Sequence, residues 1–472
     1  MKKKLENRKN NKSIIVSTLI FVITFIAMAG YLIYFNLTQA ESIINNSYNK
    51  RQGVLSRRTI RGSILSDDKT KLAVSNVDDD GNETRYYPYS GLFSHAIGYL
   101  NNGGYGLESL YGYYMLHSNQ NFFEQIGNDL SGNRNTGDNV VTTLNVGLQK
   151  ACYDALGSNR GAVIVMEPST GKILAMVSKP DFDPNTLAAN WSQITGEGSD
   201  SVLVNRATQG LYPPGSTFKL ITMLEYLREH KNDYGQYHYI CDGTYELGNN
   251  TINCVRTTAH GDVDLFSSLA VSCNCSFINI GLSLDLDRYK KTAEKMLFNK
   301  ELPTNLEYNK SRFVLNGESS EWDIAQTSFG QGKTVITPFH LALITCTIAN
   351  NGTLMEPYLV SSVESTNGMT VKKFKEEKYD TLITEKEASL LKKGMEQVVK
   401  DSFSWLFGGV EYTLAAKSGS AQYGTEGYEH SLYASFSPAD NPEIAVVAGG
   451  PQRNTTAAEV TKQIYDYYYS NK

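Results

Sequence analysis

Cysteine is scarce in this sequence, with six in 472 residues, too few for a disulfide-dense scaffold. A basic excess is missing as well. The formal net charge is −5, which lacks the positive balance of a nucleic-acid reader, so no nucleic-acid partner is expected. The seven histidines form no His-Glu-x-x-His or other metal-ligand spacing, and no Gly-x-Gly-x-x-Gly opens a nucleotide site. Neither a metal nor a cofactor is therefore expected, and His260 reads as structural. No segment repeats at a fixed period. What is there, 41% hydrophobic residues over several times the length of a minimal domain, predicts a chain of two or three modules around at least one large core.

The bland net charge conceals an asymmetry. Residues 1–12 carry Lys2, Lys3, Lys4, Arg8, Lys9 and Lys12 against Glu6, a balance of +5, so the remainder is −10. Ser13 to Ala40 then contains no charged residue, and its apolar heart from Ile14 to Phe35 is long enough to cross a hydrocarbon core as a helix. The basic flank predicts that residues 1–12 stay in the cytoplasm, 13–35 cross the cell membrane once, and everything after residue 40 lies outside. The alternative is a cleaved signal with Ala27-Met28-Ala29 as the cleavage site. It is disfavoured because the apolar run continues through Tyr31, Leu32, Ile33, Tyr34 and Phe35, where the aromatics suit an interfacial belt.

Residues 36–139 read as a stem, from Glu41 to about Arg61, followed by a small, mostly β module. Its strand-like runs are Ser63-Ile64-Leu65, Arg85-Tyr86-Tyr87 and Ala96-Ile97-Gly98-Tyr99, with a helix starting near Gly106. Ser118 to Asn139, rich in Asn, Gly, Ser and Asp, reads as a loop, and the boundary falls near Asp138. Residues 140–472 form the larger domain. Gly161 to Met166 and Ile173 to Val177 flank a turn at residues 167–172 and predict an antiparallel pair. A helix is expected from Ser216, with Leu220, Ile221, Leu224 and Leu227 facing a core, and another around Leu265 to Val271. Tyr433 to Phe436 and Ile444 to Ala448 predict a second strand pair, and Ala457 to Tyr468 a closing helix whose tyrosines pack. Strand pairs around a helical middle give an α+β class.

Three short motifs carry chemistry. Ser216-Thr217-Phe218-Lys219 follows Tyr212-Pro213-Pro214-Gly215 and puts a serine and a lysine at i and i+3, on one face of a helix that has just begun. The helix N-terminus helps a developing alkoxide. Ser-x-x-Lys alone is weak, since it begins at Ser47, Ser66, Ser169, Ser216 and Ser389, yet only one has Pro-Pro-Gly before it and an apolar helical stripe after it. Ser272-Cys273-Asn274 offers a hydroxyl and an amide from a sharp turn, and Lys417-Ser418-Gly419-Ser420 is the only Lys-[Ser/Thr]-Gly in the chain. Gly419 is expected to admit a ligand close to the strand backbone. Taken singly, each has a structural reading as cap, turn or strand end.

In order, Ser-x-x-Lys, Ser-x-Asn and Lys-Ser-Gly resemble the motif set of penicillin-binding proteins and class A β-lactamases. Asn205-Arg206-Ala207, His260-Gly261-Asp262, Phe329-Gly330-Gln331-Gly332, Thr337-Pro338 and Ala349-Asn350-Asn351-Gly352 look like further landmarks of the transpeptidase domain. Arg61-Gly62-Ser63-Ile64 and Gly106-Leu107-Glu108 resemble the pedestal of the class B, monofunctional enzymes. The short spacing between them is similar to the compact penicillin-binding protein A type, lacking the larger head or dimerisation insert. Two departures, Ser418 where many relatives have Thr and Asn351 where Gly is frequent, keep the needed chemistry.

The resemblance implies a penicillin-binding transpeptidase fold, an antiparallel sheet with a helical subdomain. It implies peptidoglycan D,D-transpeptidation of stem peptides ending in D-Ala-D-Ala, through an acyl-enzyme that β-lactams also form. Ser216 would be nucleophile and Lys219 its base, with Ser272 relaying a proton and Asn274 positioning substrate. Lys417, Ser418, Gly419 and Ser420 would hold the terminal carboxylate, and the N–H groups of Ser216 and Ser420 would make the oxyanion hole. A membrane glycan polymerase is the partner implied. The alternatives are a β-lactamase, for which no deacylating glutamate and water can be identified, and a catalytically idle sensor or scaffold. A bifunctional polymerase is disfavoured because residues 41–140 are short for that domain. Cys241 and Cys254 can pair across a turn, with Cys273 and Cys275 as free thiols.

Overall fold

The computed structural model describes residues 2–38, 55–196, 199–423, 428–451 and 456–472. The expected stem therefore lies outside the described residues up to position 54. Helix α1 (Lys2–Thr38) contains the apolar stretch Lys12–Phe35, 24 residues with none buried. At 1.5 Å per residue that stretch covers about 36 Å, enough for a hydrocarbon core of about 30 Å. A core helix would not leave Phe21 and Phe25 about three-quarters exposed.

Three strands of the first module, β1 (Ile64–Leu65), β2 (Lys71–Val77) and β3 (Glu83–Tyr86), form a six-stranded sheet with β4 (Asn139–Thr142) at the boundary and two strands from far along the chain, Val360–Glu364 and Thr370–Lys373. The order runs Thr370–Lys373, Val360–Glu364, β4, β1, β2, β3. The boundary expected near Asp138 thus falls where the chain enters the middle of this sheet. Behind it, Glu108 is fully buried and takes Arg61 Nε and Arg85 Nε, each at 2.7 Å. Burial alone would raise the Glu108 carboxyl, but Arg85 and Arg61 outweigh it and hold it below its ordinary value.

Two expectations fail here. Ala96-Ile97-Gly98-Tyr99 is not a strand: Ser94–Ile97 is a helical turn buried at every position and ended by Gly98 at φ +86. Residues 118–139 are not simply loop, because Phe122–Ser131 is helical. Phe123, Ile126 and Leu130 recur at helical spacing there, a period masked by the Asn- and Gly-rich composition.

The larger domain opens with α2 (Val146–Leu156), whose N-cap Asn145 accepts from Leu148 N–H. Strands β5 (Gly161–Met166) and β6 (Ile173–Lys179) pair antiparallel as expected. A helical middle follows, holding α3 (Lys219–Glu229), a patch of short hairpin strands, β7 (His238–Cys241), β8 (Thr244–Leu247), β9 (Asn250–Asn253) and β10 (Gly261–Asp264), then α4 (Leu265–Ala270), α5 (Asn274–Ser283), α6 (Pro338–Ala349) and α7 (Glu385–Ser402). In the hairpin patch β7 pairs with β10 and β8 with β9. Strands β11 (Ala415–Tyr423), β12 (Tyr428–Ser437) and β13 (Ile444–Pro451) then lead to α8 (Ala457–Ser470).

The central sheet runs β11-β12-β13-β5-β6, antiparallel throughout. Every residue of β5 is buried because both faces are covered. Ala162, Ile164 and Met166 join a core that includes α6, while Val163 and Val165 join the one made with α2 and α8. The sheet ends on one side at β11, whose free edge faces the first turn of the α3 region. The α+β class is borne out, and Tyr465 packs as expected, buried with its hydroxyl on Ser435.

Candidate active site

The expected helix at Ser216 begins instead as a 3₁₀ turn, Gly215–Phe218, that runs into α3. Gly215 sits at φ +53, and a Cβ there would come within 2.9 Å of the Ser420 backbone nitrogen. Glycine is therefore demanded twice, by its conformation and by the close approach of β11. Gly419 has the reciprocal role. A Cβ on it would lie 2.6 Å from Pro214 O, so its missing side chain seats the serine turn against the strand rather than admitting a ligand.

Lys219, one residue-turn along, is fully buried. Its Nζ donates to Ser272 O at 2.7 Å, to Asn274 Oδ1 at 2.8 Å and to Ser272 Oγ at 3.3 Å. Lys417 is fully buried too, with Nζ 3.0 Å from Ser272 Oγ and 3.0 Å from Ser418 O. Ser272 Oγ thus bridges two lysine amines. Its backbone is held at φ +54, a conformation that costs a non-glycine residue free energy and persists where the surroundings enforce it.

Two ammonium groups on one neutral hydroxyl repel each other and are poorly solvated. Burial pushes Lys219 down to about 8. Lys417 is pushed well down by burial and by the Lys219 charge. Lys219 has three oxygen acceptors to Lys417's two, which favours the shared proton on Lys219.

Ser216, Ser272, Asn274, Ser418 and Ser420 line one groove of about 780 Å³, together with Asn253, Cys254, Arg256, Trp322, Gln326 and Gln331. The three motifs, distant in sequence, therefore converge. Among the described residues the Ser216 hydroxyl makes no hydrogen bond, so the contact with Lys219 expected from the i, i+3 spacing is not made. Hydrogen bonds between catalytic groups commonly tighten only with substrate present. The β9 wall and Trp322 were missed by sequence reasoning, since a four-residue hairpin strand and a lone tryptophan leave no periodic signal.

The cysteines depart from expectation. Cys241 and Cys254 are not joined, their sulfurs standing 3.8 Å apart against about 2.05 Å for a disulfide. Cys254 Sγ also lies 3.8 Å from Cys273 Sγ and 3.4 Å from Cys275 Sγ.

Residues 161–466 match the penicillin binding protein transpeptidase domain, and residues 61–140 the penicillin binding protein A dimerisation domain. The segment read as lacking a dimerisation insert is thus itself matched by a dimerisation domain. The chain is similar to the peptidoglycan D,D-transpeptidase PbpA of Mycolicibacterium smegmatis, 29% identical over 90% of this chain and 89% of that protein. It is 32% identical to PbpA of Mycobacterium tuberculosis over 69% of this chain and 70% of that one. The structure of the M. tuberculosis penicillin-binding protein A imipenem acyl-enzyme complex superimposes with a TM-score of 0.79 at 28% identity, covering 87% of this chain and 99% of that chain. By its catalytic domain, its pedestal and the order of its motifs, this chain belongs to the penicillin-binding protein transpeptidases.

Proposed function

We infer that the chain is a peptidoglycan D,D-transpeptidase that cross-links stem peptides ending in D-Ala-D-Ala and is acylated by β-lactams. The observation that carries this is the bridging of two buried lysine amines by Ser272 Oγ, beside an unengaged Ser216 in the same groove. An anionic C-terminus held by Lys417, Ser418 and Ser420 supplies the negative charge the groove lacks. It favours the proton on Lys417, and Ser272 Oγ is placed to pass that proton across from Lys219. Lys219, left neutral, takes the Ser216 proton as Oγ attacks the penultimate D-Ala carbonyl. The N–H groups of Ser216 and Ser420 stabilise the oxyanion. The terminal D-Ala leaves as its amine, protonated through Ser272, while Asn274 holds the peptide amide. An amine of a second stem peptide then attacks the ester, forms the cross-link and returns the proton and Oγ to Ser216.

On this reading residues 1–12 lie in the cytoplasm, 13–35 cross the membrane and 36–139 carry the domain of residues 140–472 outside it. The basic N-terminal flank supports that orientation. Cross-linking consumes freshly polymerised glycan, so a membrane glycan polymerase is the partner expected. The test is to incubate the full chain in detergent with penicillin G and map the adduct by mass spectrometry. One adduct on Ser216 that persists is expected. An adduct lost within seconds would instead make the protein a β-lactamase, and no adduct would sink the assignment.

A further inference from the structure

Transpeptidation as set out above leaves one charged group of the groove without a task. Among the described residues that line the groove, Arg256 is the only one with a charged side chain. It is exposed, and among the described residues its guanidinium makes no hydrogen bond and no salt bridge. Lys219 and Lys417 are fully buried and share one proton, a charge that the terminal carboxylate of the substrate balances. The charge of Arg256 is left over.

The backbone fixes where that charge stands. Cys254 N–H donates to Gly243 O and Thr257 N–H to Cys254 O, each at 2.9 Å, around the short 3₁₀ turn Val255–Thr257 just after β9. Arg256 sits at φ +57 and Thr257 at φ +52. Two consecutive side-chain-bearing residues in that region cost free energy and persist where the surroundings enforce them. Asn274 Nδ2 donates to Asn253 O at 3.0 Å, which ties this wall to the side chain that holds the substrate amide. Upstream of the scissile bond the peptide therefore runs from Asn274 towards a wall on which Arg256 stands three residues beyond Asn253. Trp322, exposed in the same groove, offers an apolar face for the methylenes of a side chain. A guanidinium meets a carboxylate with two parallel N–H donors. Resting on the transpeptidase reading, we propose that Arg256 binds a second carboxylate of the donor stem peptide, upstream of D-Ala-D-Ala, and selects stem peptides that carry one. Two positions can supply it. One is the side chain of the residue before D-Ala-D-Ala, and the other is the free α-carboxylate of an acidic residue linked through its side chain one position earlier.

The test uses the full chain in detergent and synthetic peptides as competitors of penicillin G for Ser216, read as the peptide concentration that halves the acylation rate. One set of peptides carries aminoadipate or its side-chain amide directly before D-Ala-D-Ala. A second set carries alanine there, preceded by γ-linked D-glutamate or its α-amide. In one set the carboxylate should compete about tenfold better than its amide, and the set that shows this identifies the source. Arg256→Gln should bring the ratio close to unity, Arg256→Lys should retain part of it, and Arg256→Glu should turn it over. Each ratio compares two peptides on one variant, so a change in folding or in acylation by penicillin G cancels. Equal competition by carboxylate and amide in both sets would leave Arg256 a solvated surface charge and overturn the proposal, as would a preference that survives Arg256→Gln. Failure of the transpeptidase reading looks different. It shows as a wild-type chain that takes no penicillin on Ser216, and it takes this proposal with it.

Discussion

The pedestal and the catalytic groove both bury cations, and they treat them in opposite ways. Arg61 and Arg85 are held by the Glu108 carboxylate at 2.7 Å each. Lys219 and Lys417 share a serine hydroxyl, and among the described residues no carboxylate forms a salt bridge with either amine. A buried charge with its counter-ion is a fixed structural part. Buried lysines left without one have depressed pKa values, which suits proton transfer and leaves them to be completed by an anionic ligand.

That contrast breaks most sharply at Ser216. Ser216→Ala should abolish the penicillin adduct altogether, with an unchanged melting temperature, and residual labelling at another serine would overturn the site. Next, Lys219→Met should slow acylation by about 10²–10⁴-fold, the usual range for loss of general-base help. Stability should hold or rise, because an uncompensated buried charge is replaced by an apolar chain. Glu108→Gln should do the reverse. Stranding two buried arginines costs about 3–5 kcal/mol, read as a fall in the urea midpoint, while acylation of the remaining folded protein stays near the wild-type rate. If both variants lowered stability equally, the contrast would be wrong.

The pH profile separates the regions further. Lys219 holds the pair's single proton with a pKa lowered to about 8, and that proton must pass to Lys417 when the carboxylate binds, so the acylation rate should hold below about 8 and fall as pH rises through it. A profile that stays flat or climbs through that range would overturn the passage of the proton from Lys219 to Lys417. Glu108 has its pKa lowered in the folded chain. Its contribution is therefore present above the ordinary carboxylate range and lost as pH falls through the lowered value, measured as an acid-side drop in melting temperature. The smallest effect should come from Ser418→Thr, which keeps the hydroxyl. A change in acylation of less than about twofold is expected, and a large loss would mean that the added methyl cannot be seated in the groove.

The sequence showed the motif residues of the groove because they are carried by short, local patterns. Pro-Pro-Gly before Ser216 and the lone Lys-Ser-Gly survive as text, and the structure brings Ser216, Ser272 and Ser418 to one groove. Asn351, read as tolerating left-handed backbone, sits at φ +52. Arg61 and Glu108, quoted as separate landmarks, turn out to be one ion pair. What stayed hidden depends on distant chain segments meeting. The role of Gly419 follows from Pro214 lying against it, and the approach of Cys254 to Cys273 and Cys275 needs the end of a hairpin and a helix start to meet. Neither leaves a period or a spacing to read. Composition misled at residues 122–131, where polar residues hid three apolar ones at helical intervals.

The placing of β4 bears on how the protein is made. One of its edges joins β1 soon after synthesis, but the other pairs Val140 with Val363, so it stays unsatisfied until more than two hundred further residues have emerged. An open strand edge is a template for wrong partners, and distant pairings close slowly. The nascent pedestal is therefore the period of greatest exposure to aggregation. A fragment that ends before residue 360 should keep that exposure permanently, however well its own residues are chosen.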